Sequence, residues 1–478
     1  MTRTALVMPS TAPDAPGTVE VFNPAHRHEV VGAYPLIDIE HVDAAVEAAR
    51  ASQHEWGRLA AQERHRLLVA SSDAISALEG LDELLVREQG KILPEANFEL
   101  NFYDATVAAL GEFVDRLDNP QVLIDDGMGS ARMYHKPTGV VGVIAPNNYP
   151  YAIAAIKLLP ALLAGNAVVV VVAPTTPLTA LRALRELASA LPAGVLSVLT
   201  GPGPKVGQRL VEHPDVQMIT FTGSTATGRL VAGGAADSLK RVVLELGGND
   251  PGIVLDDCVV SERFIDDIVS GAYMTTGQVC FAIKRLYAPH ALVDDITEAI
   301  AAALDNYVIG DGLDPGSSMG PMHSEAGRHK VRSLVEQARA GGATVRECGR
   351  LAADPDEGWY VRPSVVSSLD NAAALVQQEQ FGPSLPVIGY DDIDHAVAMA
   401  NDSEFGLCSS VWTADEERAS MVARRLEAGT TFINSHGLFS IDPRAPFGGI
   451  KSSGVGRELG WLGLSAFCEP HVISTRHL

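Results

Sequence analysis

Five short apolar runs, GVVGVIAP, AVVVVVAP, GVLSVL, VQMITF and KRVVLEL, follow one another between residues 139 and 246, separated by segments of helical period at 152–163, 177–190, 204–212 and 224–235. No other feature constrains the chain as tightly. A strand that is apolar at every position has no solvent face, so its sheet must be covered on both sides, and connections long enough for a helix are what parallel neighbours require. The stretch is predicted to be a doubly wound, dinucleotide-type α/β domain. The alternation resumes after Gly248 with PGIVLDD, a helix near 260–277, a strand near 284–289 and helices at 292–305 and 324–340, so a second α/β domain follows. The boundary is placed at LELGGNDP, where glycines and Pro251 end one strand before another begins. Ahead of both, Val42, Ala45, Val46, Ala49 and Trp56, then Leu67, Leu68, Ile75 and Leu78, recur at the spacing of amphipathic helices.

Composition agrees with this layout and removes alternatives. A chain of 478 residues exceeds what one core holds, roughly 250 to 300 residues, so two or three domains are expected. With 46% apolar residues, disorder is excluded as the main theme. Lys plus Arg total 36 against 59 Asp plus Glu, a net charge of -23, which opposes a grip on nucleic acid or anionic lipid. The most apolar stretch, 158–173, is broken by Pro160, Gly165 and Asn166, and reads as a helix end running into a buried strand instead of a membrane span. Cys258, Cys280, Cys348, Cys408 and Cys468 lie far apart with no metal-ligand spacing, so free thiols and no metal are expected. The opening MTRTALVMPSTAPDAPG lacks an apolar core and reads as a loose tail, which makes the cytoplasm the expected compartment.

Three places can carry chemistry. In TTGQVCFAIKR, Gly277 and Gln278 interrupt the helical pattern before Cys280 and set the thiol at an element end, where backbone N–H groups lower a thiol pKa and bind an oxyanion; buried packing is the plain alternative. Glu245, in RVVLELGGND, ends an apolar strand, so it is either paired structurally or a partly buried base at the carboxyl edge of the sheet. Phe221, Thr222, Gly223, Ser224 and Thr225, followed by Gly228, form a strand-to-helix turn that suits a pyrophosphate, although such helix caps are common. Gly203 and Gly207 are a weaker cradle, because Pro202 and Pro204 remove amides. APFGGIKSSGVGRELG near the C-terminus is either a functional loop or a connector.

Taken together, LELGG, GQVC, the FGP at 381, PFGGIKSSGVGRELG and the FTGST turn, in this order and at these separations, resemble the aldehyde dehydrogenase superfamily from VFNPA at 21 to FCEP at 467. The resemblance implies Cys280 as nucleophile, Asn148 in PNNYP as side-chain donor to the oxyanion, Glu245 as the base that activates the hydrolytic water, and Lys157 with Glu458 as a proton relay or a structural ion pair. It implies a cofactor site at Ala145, Pro146, Asn147, Val171, Pro174, Gly203, Gly207, Phe221, Thr222, Gly223, Ser224, Leu246, Gly247, Glu379 and Phe381. Tyr149, Ile156, Val279, Phe281 and Phe447, with Leu438 and Phe439, match an apolar aldehyde tunnel, and Asn434 matches a position lining the site. His436 near the tunnel mouth reads as a solvated loop histidine. The implied substrate is a hydrophobic aliphatic or aromatic aldehyde, oxidised to the acid, with no arginine matching a carboxylate anchor. A coenzyme A-acylating enzyme and a non-catalytic relative are the alternatives; Glu245 opposes the first, and the retained Cys280 and Asn148 the second.

Two departures from the family pattern bear on the cofactor. Val171 stands where the pattern has the lysine, and Pro174 where it has the glutamate, that bind the adenosine ribose. NAD is preferred to NADP because no cation clearly compensates, with Lys205 the one candidate to approach the region. Asn147 replaces a tryptophan beside the phosphate, which is expected to loosen cofactor binding by about 1 kcal/mol. By resemblance, 1–117 and 138–247 form the cofactor domain, 248–452 the catalytic domain, and 118–137 with 453–478 a small β arm for a homodimer or homotetramer.

Overall fold

The computed structural model describes residues 17–477, so the expected N-terminal tail lies, but for Gly17, outside the described residues. Val140–Ile144, Ala167–Val172, Leu196–Thr200, Met218–Thr222 and Arg241–Glu245 form one parallel sheet. All six residues of Ala167–Val172 are buried, as the unbroken valine run requires, with the helices Ile39–Arg58 and Pro150–Leu163 packed on it. The chain starts at Val140–Ile144, winds outward through Ala167–Val172 and Leu196–Thr200, then returns to build Met218–Thr222 and Arg241–Glu245 on the opposite side. Val140–Ile144 and Met218–Thr222 are therefore neighbours whose connections leave in opposite directions, which opens a crevice beyond their carboxyl ends.

The second sheet runs in the spatial order Thr344–Glu347, Ser364–Ser367, Ser384–Tyr390, Ile283–Pro289, Asp250–Val254, Cys408–Trp412, Thr430–Ile433, parallel except at its first strand. Only residues 246–249 separate it from the first sheet in sequence. Gly248 is required there: a Cβ would lie 2.4 Å from the Cys280 carbonyl oxygen, so the LELGG segment runs directly against the cysteine loop.

Two segments differ from their sequence-based expectation. The helix expected over 260–277 is α-helical only at Glu262–Tyr273, because Thr275 and Thr276 adopt left-handed backbone, φ 50° and 57°, and turn the chain before Cys280. The 453–478 segment divides: Gly454–Val455 pairs with Arg241–Glu245 as an antiparallel edge of the first sheet, and only Cys468–Arg476 joins Gly129–Pro137 and Gln121–Asp126 in a three-stranded antiparallel sheet. Leu464, Phe467 and Cys468 tie the intervening helix Gly460–Ala466 to the core of the first domain.

Candidate active site

Two cavities meet at Cys280. One is a narrow apolar tunnel with about 70 Å³ of free space, walled by Phe98, Phe102, Tyr149, Ala152, Ile153, Ile156, Val279, Phe281, Leu438, Ile441 and Phe447, with Asn148, Glu245, Cys280 and Glu458 also on its lining. The other is a wider cleft of about 570 Å³, with mixed polar and apolar walls, at the crevice of the first sheet. Cys280, Asn148 and Thr222 line both. A small molecule in the tunnel and a larger one in the cleft would thus meet at one sulfur atom.

The cysteine loop is held from several sides. Glu95 accepts the Thr275 N–H at 2.6 Å, Tyr149 Oη lies 2.5 Å from Thr275 Oγ1, and Thr276 Oγ1 donates to the Gly320 carbonyl at 3.0 Å. These contacts retain a pair of left-handed threonines that would otherwise cost about 1 to 2 kcal/mol each. Buried Lys284 donates to the carbonyls of Val279 at 2.8 Å and Cys280 at 2.6 Å. The Cys280 N–H has no intramolecular acceptor among the described residues, so it remains available to an oxyanion. Asn148 Nδ2 spends one N–H on the Gln278 carbonyl at 3.0 Å and retains a second.

The thiol differs from its expectation. Cys280 follows a left-handed turn and not a helix start, so no helix N-terminus lowers its pKa; burial pushes it up to about 12, Lys284 pulls it down, and the charges of Glu245, Glu379 and Asp250 push it further up. Glu245 is fully buried instead of partly, 4% exposed, and both its carboxylate oxygens lack a hydrogen-bond partner among the described residues. Burial raises its pKa well above the usual carboxylate value, the nearby Glu458 adds to this, and Lys157 and Arg457 oppose it. Lys157 forms a short ion pair with Glu458, and Thr220 Oγ1 lies 3.2 Å from Lys157 Nζ. Phe447 and Glu458 exchange backbone hydrogen bonds of 2.7 Å, so the Gly/Pro-rich C-terminal segment brings both side chains to the tunnel and is a site loop, not a connector.

The cleft contains Pro146, Asn147, Pro174, Phe221, Thr222, Gly223, Ser224, Leu246, Gly247, Glu379 and Phe381 of the sequence-derived set. Ala145, Val171, Gly203 and Gly207 do not line it: Val171 is buried within its strand, and Gly203–Gly207 is one π-helical turn after Leu196–Thr200. Lys205 on that turn is exposed and outside the cleft, whereas His323 and Lys330, which sequence reasoning passed over, line it. Burial pushes His323 down to about 4, so its imidazole is neutral near pH 7. All five tunnel residues of the sequence reading line the tunnel, and so does Leu438; Phe439 stays outside it and stacks edge-on against Phe98 at 5.0 Å. His436 is buried and not solvated, its Nε2 2.8 Å from the Phe281 carbonyl oxygen. Asn434 is absent from the lining and instead pins its strand to Thr413 through two hydrogen bonds of 2.9 Å.

A doubly wound sheet beside a second α/β domain, with a cysteine, an amide donor and an unpaired buried carboxylate between them, defines a cysteine-dependent enzyme with a nucleotide-sized cleft. The aldehyde dehydrogenase family model matches residues 11–473, and the chain belongs to that family. It is 36% identical over 462 residues to geranial dehydrogenase of Castellaniella defragrans, covering 95% of each chain. It is 37% identical over 472 residues to phenylacetaldehyde dehydrogenase of Pseudomonas fluorescens, covering 96% of this chain and 92% of that one. The crystal structure of betaine aldehyde dehydrogenase from Staphylococcus aureus in complex with NAD+ is similar at TM-score 0.91 and 30% identity, over 99% of this chain and 95% of that one.

Proposed function

We propose that the protein oxidises a hydrophobic aliphatic or aromatic aldehyde to its carboxylic acid, with NAD+ as hydride acceptor. The observation that carries this reading is the shared position of Cys280 and Asn148, which face both the apolar tunnel and the wider cleft. The cleft's own residues fit a dinucleotide. Ser224 Oγ accepts the Thr227 N–H, and the other first-turn N–H groups of the helix Thr225–Ala236 suit a pyrophosphate. Glu379 accepts the Gly248 N–H at Oε1, leaving Oε2 for a ribose hydroxyl, and a Cβ at Gly247 would stand 2.8 Å from that oxygen. Phe381 completes this wall. When bound, NAD+ takes the hydride from the substrate carbon.

The chain's residues do the rest. The Cys280 thiol gives up its proton to solvent, the thiolate sulfur attacks the aldehyde carbon, and the new oxyanion is met by the Cys280 N–H and the free N–H of Asn148, each such donor contributing about 100- to 1,000-fold. Loss of hydride leaves a thioester on Cys280. Glu245, unpaired and facing the same tunnel, takes a proton from water as it adds to the thioester carbon, and the acid and the thiolate are released. The Lys157–Glu458 ion pair, whose charges act on Glu245, is the nearby buried polar group to which that proton can pass, and it serves as structure as well. A buried base of this kind would destroy a thioester meant for coenzyme A, which favours hydrolysis over acyl transfer.

The tunnel sets the substrate class. Its walls are apolar and include no arginine to anchor a second carboxylate, in keeping with the geranial and phenylacetaldehyde enzymes it resembles. The outer strand Gln121–Asp126 is exposed along its length, with Val122, Leu123 and Ile124 open, and supports a homodimer or homotetramer built on this arm. A cytoplasmic location suits the free thiols. Absorbance at 340 nm with an aldehyde panel, NAD+ and NADP+ supplied separately, and Cys280→Ser as control, tests the assignment. Turnover of hydrophobic aldehydes with NAD+, lost in the control, is expected; turnover that appears only with added coenzyme A would contradict it.

A further inference from the structure

One segment far away in sequence, 91–99, which has no catalytic role in the mechanism above, contacts both Asn148 and the cysteine loop. Lys91 is fully buried, with Nζ 2.5 Å from Glu99 Oε2, 3.0 Å from the Asn148 carbonyl oxygen and 3.6 Å from the centre of the Tyr149 ring. Its ammonium therefore clasps the two consecutive residues that carry the oxyanion amide and one tunnel wall. Glu99 is itself fixed, because Oε1 accepts the Tyr151 and Ala152 N–H groups at 2.9 and 3.2 Å at the start of the helix Pro150–Leu163. Glu95, one turn before Glu99 on the helix Leu93–Gly111, accepts the Thr275 N–H of the cysteine loop. The two halves of the oxyanion site, Asn148 and Cys280, thus share one rigid support.

We propose that Lys91 is a positioning residue for the oxyanion step: by fixing the Asn148 carbonyl against Glu99 and the Tyr149 ring, it sets the Asn148 amide at the distance from Cys280 that the tetrahedral intermediate needs. A buried ammonium is costly to keep unless it is well paired, and here its direct contacts are the Glu99 carboxylate, the Asn148 carbonyl and the Tyr149 ring. A displacement of about 1 Å in such a donor costs about 100-fold in rate. The inference rests on the Cys280 aldehyde oxidation proposed above.

The test compares Lys91→Met, Asn148→Ala and the double variant, with two readouts. Lys91→Met is expected to lower kcat for aldehyde oxidation about 10- to 100-fold and to leave the NAD+ dissociation constant within about twofold. It is also expected to leave unchanged the rate at which iodoacetamide alkylates Cys280, since that displacement develops no oxyanion. In the Asn148→Ala background, Lys91→Met should lower kcat no further, because both act on one interaction. Multiplicative losses in the double variant, or alkylation that falls in step with kcat, overturns the proposal. Because Lys91→Met leaves Glu99 buried without its cation, Lys91→Met/Glu99→Gln serves as the folding control. Recovery of thermal stability with kcat still low supports positioning, whereas recovery of both reveals a merely structural role and overturns it. A wild type that oxidises no aldehyde removes the function reading and this proposal together; an active wild type with additive variants removes the proposal alone.

Discussion

The cleft and the tunnel share Cys280 yet are built on different principles. The tunnel is narrow and apolar, and its polar groups are buried: Asn148 donates to the Gln278 carbonyl, Glu458 pairs with Lys157, and Glu245 stands without a hydrogen-bond partner among the described residues. The cleft is roomy, with mixed polar and apolar walls, and it departs from the family pattern at three positions: Val171 stands for a lysine and is sealed in its strand, Pro174 offers no carboxylate, and Asn147 stands for a tryptophan. On the proposed reading its grip on a dinucleotide falls to the first-turn N–H groups after Ser224 and to Glu379, with Lys330 also on the lining. The contrast teaches that the chemistry is overdetermined by packing while cofactor affinity rests on a few exchangeable contacts. In a chain of net charge -23, backbone amides supply much of what a phosphate-rich ligand needs.

If that division is right, the largest losses come from the tunnel side. Asn148→Ala should reduce kcat about 100- to 1,000-fold with little change in NAD+ affinity; an equal loss in affinity would mean that the two regions are not separable. The thiol supplies a second test. With its pKa pushed up to about 12, Cys280 of the cofactor-free protein should alkylate faster by roughly tenfold per pH unit from pH 7 to beyond pH 9; a plateau below pH 8 contradicts a desolvated thiol. On the cleft side the effects shrink. NAD+ should bind more weakly than low micromolar, and Asn147→Trp should tighten it about fivefold, equivalent to about 1 kcal/mol, without changing the aldehyde KM. Lys205→Ala should leave NAD+ and NADP+ affinities within about twofold, because that side chain stands outside the cleft, and a selective loss for NADP+ would return it to the site.

The two regions were also unequally legible in the sequence. Val-rich runs announced the first sheet, since strands buried on both faces leave an unbroken apolar signature, and the motifs around Cys280, Glu245 and Phe447 led to the site. What remained hidden was charge buried by tertiary contact. Lys91, Glu95 and Glu99 sit in KILPEANFE like any solvated helix face, and nothing local shows that their partners lie 50 to 180 residues away. Lys284 was concealed in the same way, because its acceptors are backbone carbonyls that carry no sequence signal. Phe98 and Phe102 carry no motif in the sequence, and only the placement of the helix Leu93–Gly111 beside the tunnel makes them part of its wall. The expected helix over 260–277 failed at two threonines whose left-handed backbone is imposed by contacts from Glu95, Tyr149 and Gly320 and not by their own preference.

The central claim is that Glu245, buried and unpaired, is the base for thioester hydrolysis and not for acylation. Rapid mixing of the Glu245→Gln variant with NAD+ and a hydrophobic aldehyde tests it most directly. The expected result is a burst of about one NADH per Cys280, an acyl group trapped on that residue, and steady turnover about 100- to 10,000-fold below wild type. In the wild type, steady turnover under deacylation control should fall as pH drops through the raised pKa of Glu245, since the base must be unprotonated to act, and the variant should lose that limb. Full steady turnover in the variant, or a burst abolished together with it, would contradict the account.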